Sequence, residues 1–228
     1  MATRNICLTL TLFLSLTVFS QSNRDEILGT WLVASGTHRV SNKISIPTIG
    51  ILRYYEFLHH YELSFFRTGI TYRFGPKVSA TVGYGFLNSE PFIQSQEARG
   101  AFYQNWLYEQ LTLKDSFGKL KLSHRYRLES RWIHTPEGTN LRNRVRYRVK
   151  GIYPLGQDYF ISASNEIFIS LQAPLFNQNR MHIGAGRVFT PSLKLEVGFM
   201  KNHFSTANYE YLFVEFSFKT DLRKKNRS

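Results

Sequence analysis

The sequence predicts an all-β fold: a transmembrane antiparallel up-and-down β-barrel of ten or twelve strands, after a cleaved N-terminal signal peptide. Three observations lead there. From Leu120 to Tyr153 the chain alternates with period two, the spacing of strands whose faces meet different surroundings. Similar segments recur along the chain, with no competing helical periodicity. The first residues read as a secretory leader.

The alternating hairpin is the clearest signal. Leu120, Leu122, Tyr126, Leu128 and Trp132 hold every second position, and Lys121, Ser123, Arg125, Arg127, Glu129 and Arg131 lie between them. After a polar loop, Arg142, Arg144, Arg146, Arg148 and Lys150 alternate with Leu141, Val145, Tyr147, Val149 and Tyr153. A soluble sandwich strand buries its apolar face and wets the other. A ladder of arginines opposite an apolar, aromatic face fits lipid outside and a charged lumen inside.

Met1 to Gln21 supplies the leader: Arg4 for the positive start, Ile6 to Phe19 for the apolar run, Ser20 and Gln21 for cleavage. The run is short for a membrane anchor and no stop-transfer charges follow. Cys7, the one cysteine, lies in the leader ahead of the apolar run, so neither a lipid anchor nor a disulfide is expected.

The mature part, 22–228, reads as a single barrel domain. After a polar lead-in from Ser22, strands are expected over Trp31–Val40 and Ile44–Phe57, with Pro47 at a strand end, edge or bulge. Tyr61–Phe74 follows, with Phe66, Ile70, Tyr72 and Phe74 on one face, then Val78–Phe86 with its apolar face opposite Ser79, Thr81, Gly83 and Gly85. Asn88–Gly100 is a longer polar connection. Ala101–Lys114, the Arg-rich hairpin, Tyr159–Leu171, Arg180–Phe189, Leu193–Phe199 and Tyr209–Thr220 complete the set, and a basic tail follows from Arg223 to Arg227. These make about eleven segments. Single-chain bacterial barrels have even strand numbers, so either one strand is missed or one lies outside the barrel; the first is the weakest member. Most connections alternate short and long, as outer-membrane barrels do.

The formal charge is +13, and +12 once Arg4 leaves with the leader (28 minus 16). That balance resembles a nucleic-acid binder, but the basic residues alternate with apolar ones inside strands of an exported chain, so nucleic acid is not an expected partner. A mean hydropathy of -0.27 excludes a helical membrane bundle.

Several stretches resemble the domain-of-unknown-function 2490 family: Trp31 to Val40, Phe66-Arg67-Thr68-Gly69, Tyr84-Gly85-Phe86, and Trp106 with Glu109-Gln110. So do Leu120 to Glu129, Asn143 to Arg148, Asn165-Glu166-Ile167-Phe168 and Asp221-Leu222-Arg223. The resemblance covers nearly all of the mature chain. It implies an outer-membrane β-barrel of a Gram-negative bacterium of the Bacteroidetes type, with no assigned activity and no established catalytic residues.

The candidate lumen network is Arg125, Arg127, Glu129, Arg131, Arg142, Arg144, Arg146, Arg148, Glu166 and Glu215, with Glu196 a further candidate partner. Arginine facing lipid near the midplane would cost ~2–4 kcal/mol each, so these must face inward. Two readings follow: an Arg–Glu network that braces the wall, or an anion-selective lining. The brace is preferred, because ten to twelve strands enclose little space once such side chains fill it. Glu109 breaks the pattern, falling by parity with Leu107 and Leu111; an aqueous rim or a bulge would explain it.

No metal spacing is evident in the seven histidines, and His59-His60 reads as an exposed loop pair. Ser123 and His124 are adjacent, so they point to opposite faces and cannot form a nucleophile–base pair. No catalytic residue, metal or cofactor is expected. The expected function is a structural barrel or narrow, porin-like passive pore with an Arg/Glu-lined lumen; the alternatives are an outer-membrane enzyme acting on lipid and a surface partner-docking barrel. Expected partners are outer-membrane lipid and the barrel-assembly machinery, with the barrel a monomer.

Overall fold

The computed structural model describes residues 28–90 and 101–223. The expected leader, most of the 88–100 connection and the tail after Arg223 lie outside the described residues. The strands are β1 Leu28–Arg39, β2 Ile44–Glu56, β3 His59–Arg73, β4 Val78–Ser89, β5 Phe102–Phe117, β6 Leu120–Thr135, β7 Gly138–Leu155, β8 Tyr159–Ser170, β9 Phe176–Thr190, β10 Leu193–His203 and β11 Asn208–Asp221. No helix occurs among the described residues.

The strands close into one barrel, each paired with its neighbours in the chain, and β1 paired with β11. The expected count of ten or twelve is therefore corrected to eleven, and the fully antiparallel order is corrected as well. In a meander the strands alternate in direction, so an odd number leaves the first and last running the same way. They close only as a parallel pair. The register runs unbroken from Leu28 opposite Glu210 to Arg39 opposite Asp221. The first strand, which sequence marks as the weakest, is held on both edges.

One consequence is polarity. Leu28 opens β1 at the end that carries the 90–101 connection, and Asp221 closes β11 at the other. The two ends are called here the long-loop end and the short-turn end. The β6–β7 connection, expected as a polar loop, is a two-residue turn at 136–137, because both strands extend further than sequence indicates.

Local chemistry explains the irregularities. Pro47 lies near the start of β2, and the β2–β3 pairing passes from Ser45 to Thr48 without it, as a residue lacking an N–H requires. At Gly83 a Cβ would come within 2.5 Å of the Tyr108 ring, so the missing side chain makes the notch in which Tyr108 lies. Gly186 makes a similar notch for Phe160, whose ring would be 2.3 Å from an added Cβ.

The two faces separate cleanly. Outward go exposed apolar side chains such as Ile70, Val82, Leu107, Leu128, Ile183 and Phe216. Exposed aromatics gather toward the rims, with Tyr72, Phe74, Tyr153, Tyr159 and Phe189 at the short-turn end and Phe86 and Tyr103 toward the other. Inward go the charged ladder of β6 and β7 and, on the facing strands, two buried apolar clusters. One joins Trp31, Val33, Met200, Tyr211 and Phe213; the other joins Leu63, Phe65, Leu87 and Trp106.

Candidate functional site: the lumen and its two walls

Period-two alternation without a bulge carries β6 and β7 through the wall, so their arginines point steadily inward. Glu129 is the hub, with 0% of its surface exposed. Arg144 Nε donates to it at 2.6 Å, Arg146 Nη1 at 2.6 Å and Arg127 Nη1 at 3.3 Å. Arg146 also reaches Glu166 at 2.9 Å, and Arg125 donates to the same carboxylate at 2.5 Å. Arg127 is held from behind by Gln110 on β5, at 2.5 and 3.0 Å. The chain of contacts thus laces β5, β6, β7 and β8 together.

Of the other residues proposed from sequence, Arg131 is buried and lines the lumen cavity. Arg148 also lines it, and its buried Nε has no partner. Arg142 shares their side of β7 but stands nearer the rim, outside the cavity lining. Glu215 faces the lumen but accepts a hydrogen bond from Ser35 at 2.7 Å instead of an arginine. Glu196 belongs to a separate cluster, accepting from Ser162 at 2.6 Å and from Lys150 at 3.2 Å, with His182 Nε2 3.4 Å away.

The lumen is not polar all round. A cavity of ≈ 290 Å³ lies inside it, bounded on one side by Trp31, Val33, Ile51, Leu63, Phe65 and Trp106. On the other side lie the arginines of β6, β7 and β9. Cation–π contacts join the walls: Arg180 lies 4.6 Å from the Trp31 ring centre and Arg144 5.1 Å from Trp106, while Arg146 lies 4.1 Å from the buried Phe168 on the neighbouring strand.

Charge is unbalanced here. Eight arginines and Lys150 line the cavity against three carboxylates, Glu62, Glu166 and Glu215. Adding the buried Arg127, Glu129 and Glu196 leaves ten cations against five carboxylates, a surplus of five. Arg67 is part of that surplus. Its ring contact is Tyr108, 5.2 Å away, and it stands in the repulsive field of Arg125 and Arg146.

Sequence reasoning missed Arg53, Glu62, Arg67 and Arg180. Arg53 pairs with Glu62 across the β2–β3 hairpin. Their strands carry Ile49, Ile51, Leu63 and Phe65 toward the same cavity, so no polar ladder advertised the face. For Arg67 a signal existed: it alternates with the outward Phe66 and Ile70.

Glu109 faces outward beside Val82 and Leu128, midway along β5, and the pairing on both sides runs without a shift. Neither a rim position nor a bulge accounts for it. His124 also faces outward, bonded to the Tyr147 hydroxyl at 2.9 Å, away from Ser123. Ser164 lies opposite His182 in the cavity lining. No hydrogen bond joins these two among the described residues, so a serine–histidine relay is not assembled.

One group of possible metal ligands comes together at a turn. Ligand atoms of Glu56, His59 and His60 lie within 4.8 Å of one another on the exposed β2–β3 turn. Adjacent strand residues normally face apart. Here φ of 53° at His60 re-aims the chain, and the two rings lie 4.0 Å apart. Two imidazoles and a carboxylate suit a zinc-like cation with a free coordination position.

No curated protein matches the chain. The model of a family described as protein of unknown function, DUF2490, matches residues 28–212, most of the chain, from β1 through β10 and into the start of β11, so the chain belongs to the DUF2490 family.

Proposed function

We propose that this chain is an integral outer-membrane β-barrel of a Gram-negative bacterium, exported by its leader, whose lumen is a narrow passage favouring small anions. The observation that carries the reading is the surplus of five cations facing the lumen of a closed barrel. Inside a low-dielectric wall, uncompensated charge raises the local concentration of counter-ions. The outer face supports the membrane placement, with an exposed apolar band between rim aromatics.

Bracing and attraction are divided between strands. Glu129 and Glu166 neutralise the arginines that lace β5 to β8. Arg67 and Arg148 are left to set the field.

Planar-bilayer recording tests the reading. Small conductance steps are expected, and under a potassium chloride gradient the reversal potential should report chloride preference. A lumen that passes no ions at high salt, or prefers potassium, sinks it. Fractionation should place the protein in the outer membrane; recovery in the inner membrane would overturn the location.

A further inference from the structure

The unequal walls of the lumen point beyond simple anions. We propose that the cavity is a binding site for a small amphipathic organic anion, an acidic head on an apolar tail of a few carbons. The inference rests on the outer-membrane, anion-favouring reading above and names the ligand class for the same lumen.

The head would lie between Arg67 on β3 and Arg125 and Arg148 on β6 and β7. Arg67 and Arg125 are close enough to repel each other, as are Arg125 and Arg148. Arg125 and Arg148 each have a buried Nε without a partner, while Arg125 spends its terminal nitrogen on Glu166. Two unpaired guanidinium N–H groups beside Arg67 form a place where an acidic group would accept charge-assisted hydrogen bonds and relieve the repulsion among the three cations. Ser164 on β8 adds a hydroxyl to the same lining.

The tail has an equally defined direction. Ile49 sits opposite Arg67 in the β2–β3 pairing, and Ile51 sits opposite Phe65, one step toward the long-loop end. Val33 pairs with Ile51. An apolar track therefore starts at the arginine and runs along β1, β2 and β3. Inorganic anions would leave this track wet, and a neutral alkyl chain would leave the guanidinium groups unpaired. Only a molecule with both parts satisfies both walls. The volume of ≈ 290 Å³ lies at the small end of ligand pockets, which excludes a whole phospholipid.

Tryptophan fluorescence provides the test. Trp31 and Trp106 line the cavity, whereas Trp132 alternates outward. The full-length barrel carrying W132F therefore reports from the lumen alone. Titration with 6-bromohexanoate should give saturable quenching, and 6-bromohexanol should need at least tenfold more. Octanoate should displace the bromoacid at tenfold lower concentration than acetate or inorganic phosphate. R67Q with R148Q should weaken quenching at least tenfold, and R142Q, outside the cavity lining, should leave it unchanged. If the double variant does not fold, the acid and alcohol titrations on the unaltered lumen still decide. Equal quenching by acid and alcohol, or equal displacement by phosphate and octanoate, overturns the proposal. A barrel that prefers chloride in bilayers yet ignores the bromoacid loses this inference alone. One that shows neither loses the underlying reading too.

Discussion

Arg144 Nε donates to Glu129 Oε2 across 2.6 Å, and no part of Glu129 reaches solvent. A buried carboxylate serving three arginines on its own and the adjacent strand is a commitment: removing it strands the partners. Breaking a buried pair from one side costs about 3–5 kcal/mol. Glu129→Gln should lose about that much in urea unfolding from lipid bilayers, whereas R142Q should shift stability by less than about 0.5 kcal/mol. Equal effects would show that the network does not brace the wall.

Glu109 offers the opposite expectation. It faces outward between Val82 and Leu128, where lipid would surround it. A carboxylate on the lipid face costs less than the ~2–4 kcal/mol of a basic residue there. Glu109→Leu should therefore raise unfolding stability by about 1–2 kcal/mol. A loss of stability would reveal a partner for Glu109 on the outer surface.

The parallel seam can be tested covalently. Leu32 and Val214 are register partners on β1 and β11, and both face outward. The one native cysteine, Cys7, precedes both strands; in the proposed exported form, with residues 1–21 removed, no competing thiol remains. Leu32→Cys with Val214→Cys should cross-link under mild oxidation and raise stability by up to about 5 kcal/mol, the scale expected for a long closed loop. Leu32→Cys with Leu195→Cys, on the next strand round, should not cross-link. Absence of the first product would disprove eleven-strand closure.

Strand parity also predicts topology in the cell. A tag placed after Gln21 should be accessible on intact cells, and a tag after Ser228 should become accessible only once the outer membrane is opened. In the proposed placement the short-turn end, which holds Asp221, would face the periplasm. Protease protection of both tags would contradict an odd strand count.

How much of this was legible in the residues follows from what period two can encode. Alternation gives the inside and outside of a strand, and it placed Arg125 to Arg131 and Arg144 to Arg148 toward the lumen, where they lie. It is silent on which strands face each other across a lumen. The apolar wall of Trp31, Ile51, Phe65 and Trp106 was therefore invisible, since each of those residues has an apolar outward neighbour, Leu32, Leu52, Phe66 or Leu107, and no polar ladder marks its face. Arg53 was hidden for the same reason. Strand number failed differently. All eleven segments were found, but an even count was imposed by habit of the class, and nothing in local sequence announces a parallel pair between residues 182 positions apart, such as Ser35 and Ser217.

That seam has a consequence for rearranging the chain. In most domains the termini lie close together, and circular permutation by a short linker is tolerated. Here Leu28 and Asp221 sit at opposite rims of the wall. A linker must travel the full height of the barrel, roughly 30–40 Å, or about ten extended residues. Threaded through the lumen, it would displace the cavity. Laid against β1 and β11, it would insert between them as a twelfth strand running against both, and the barrel would regain an even count. The chain is one strand short of being closable on itself.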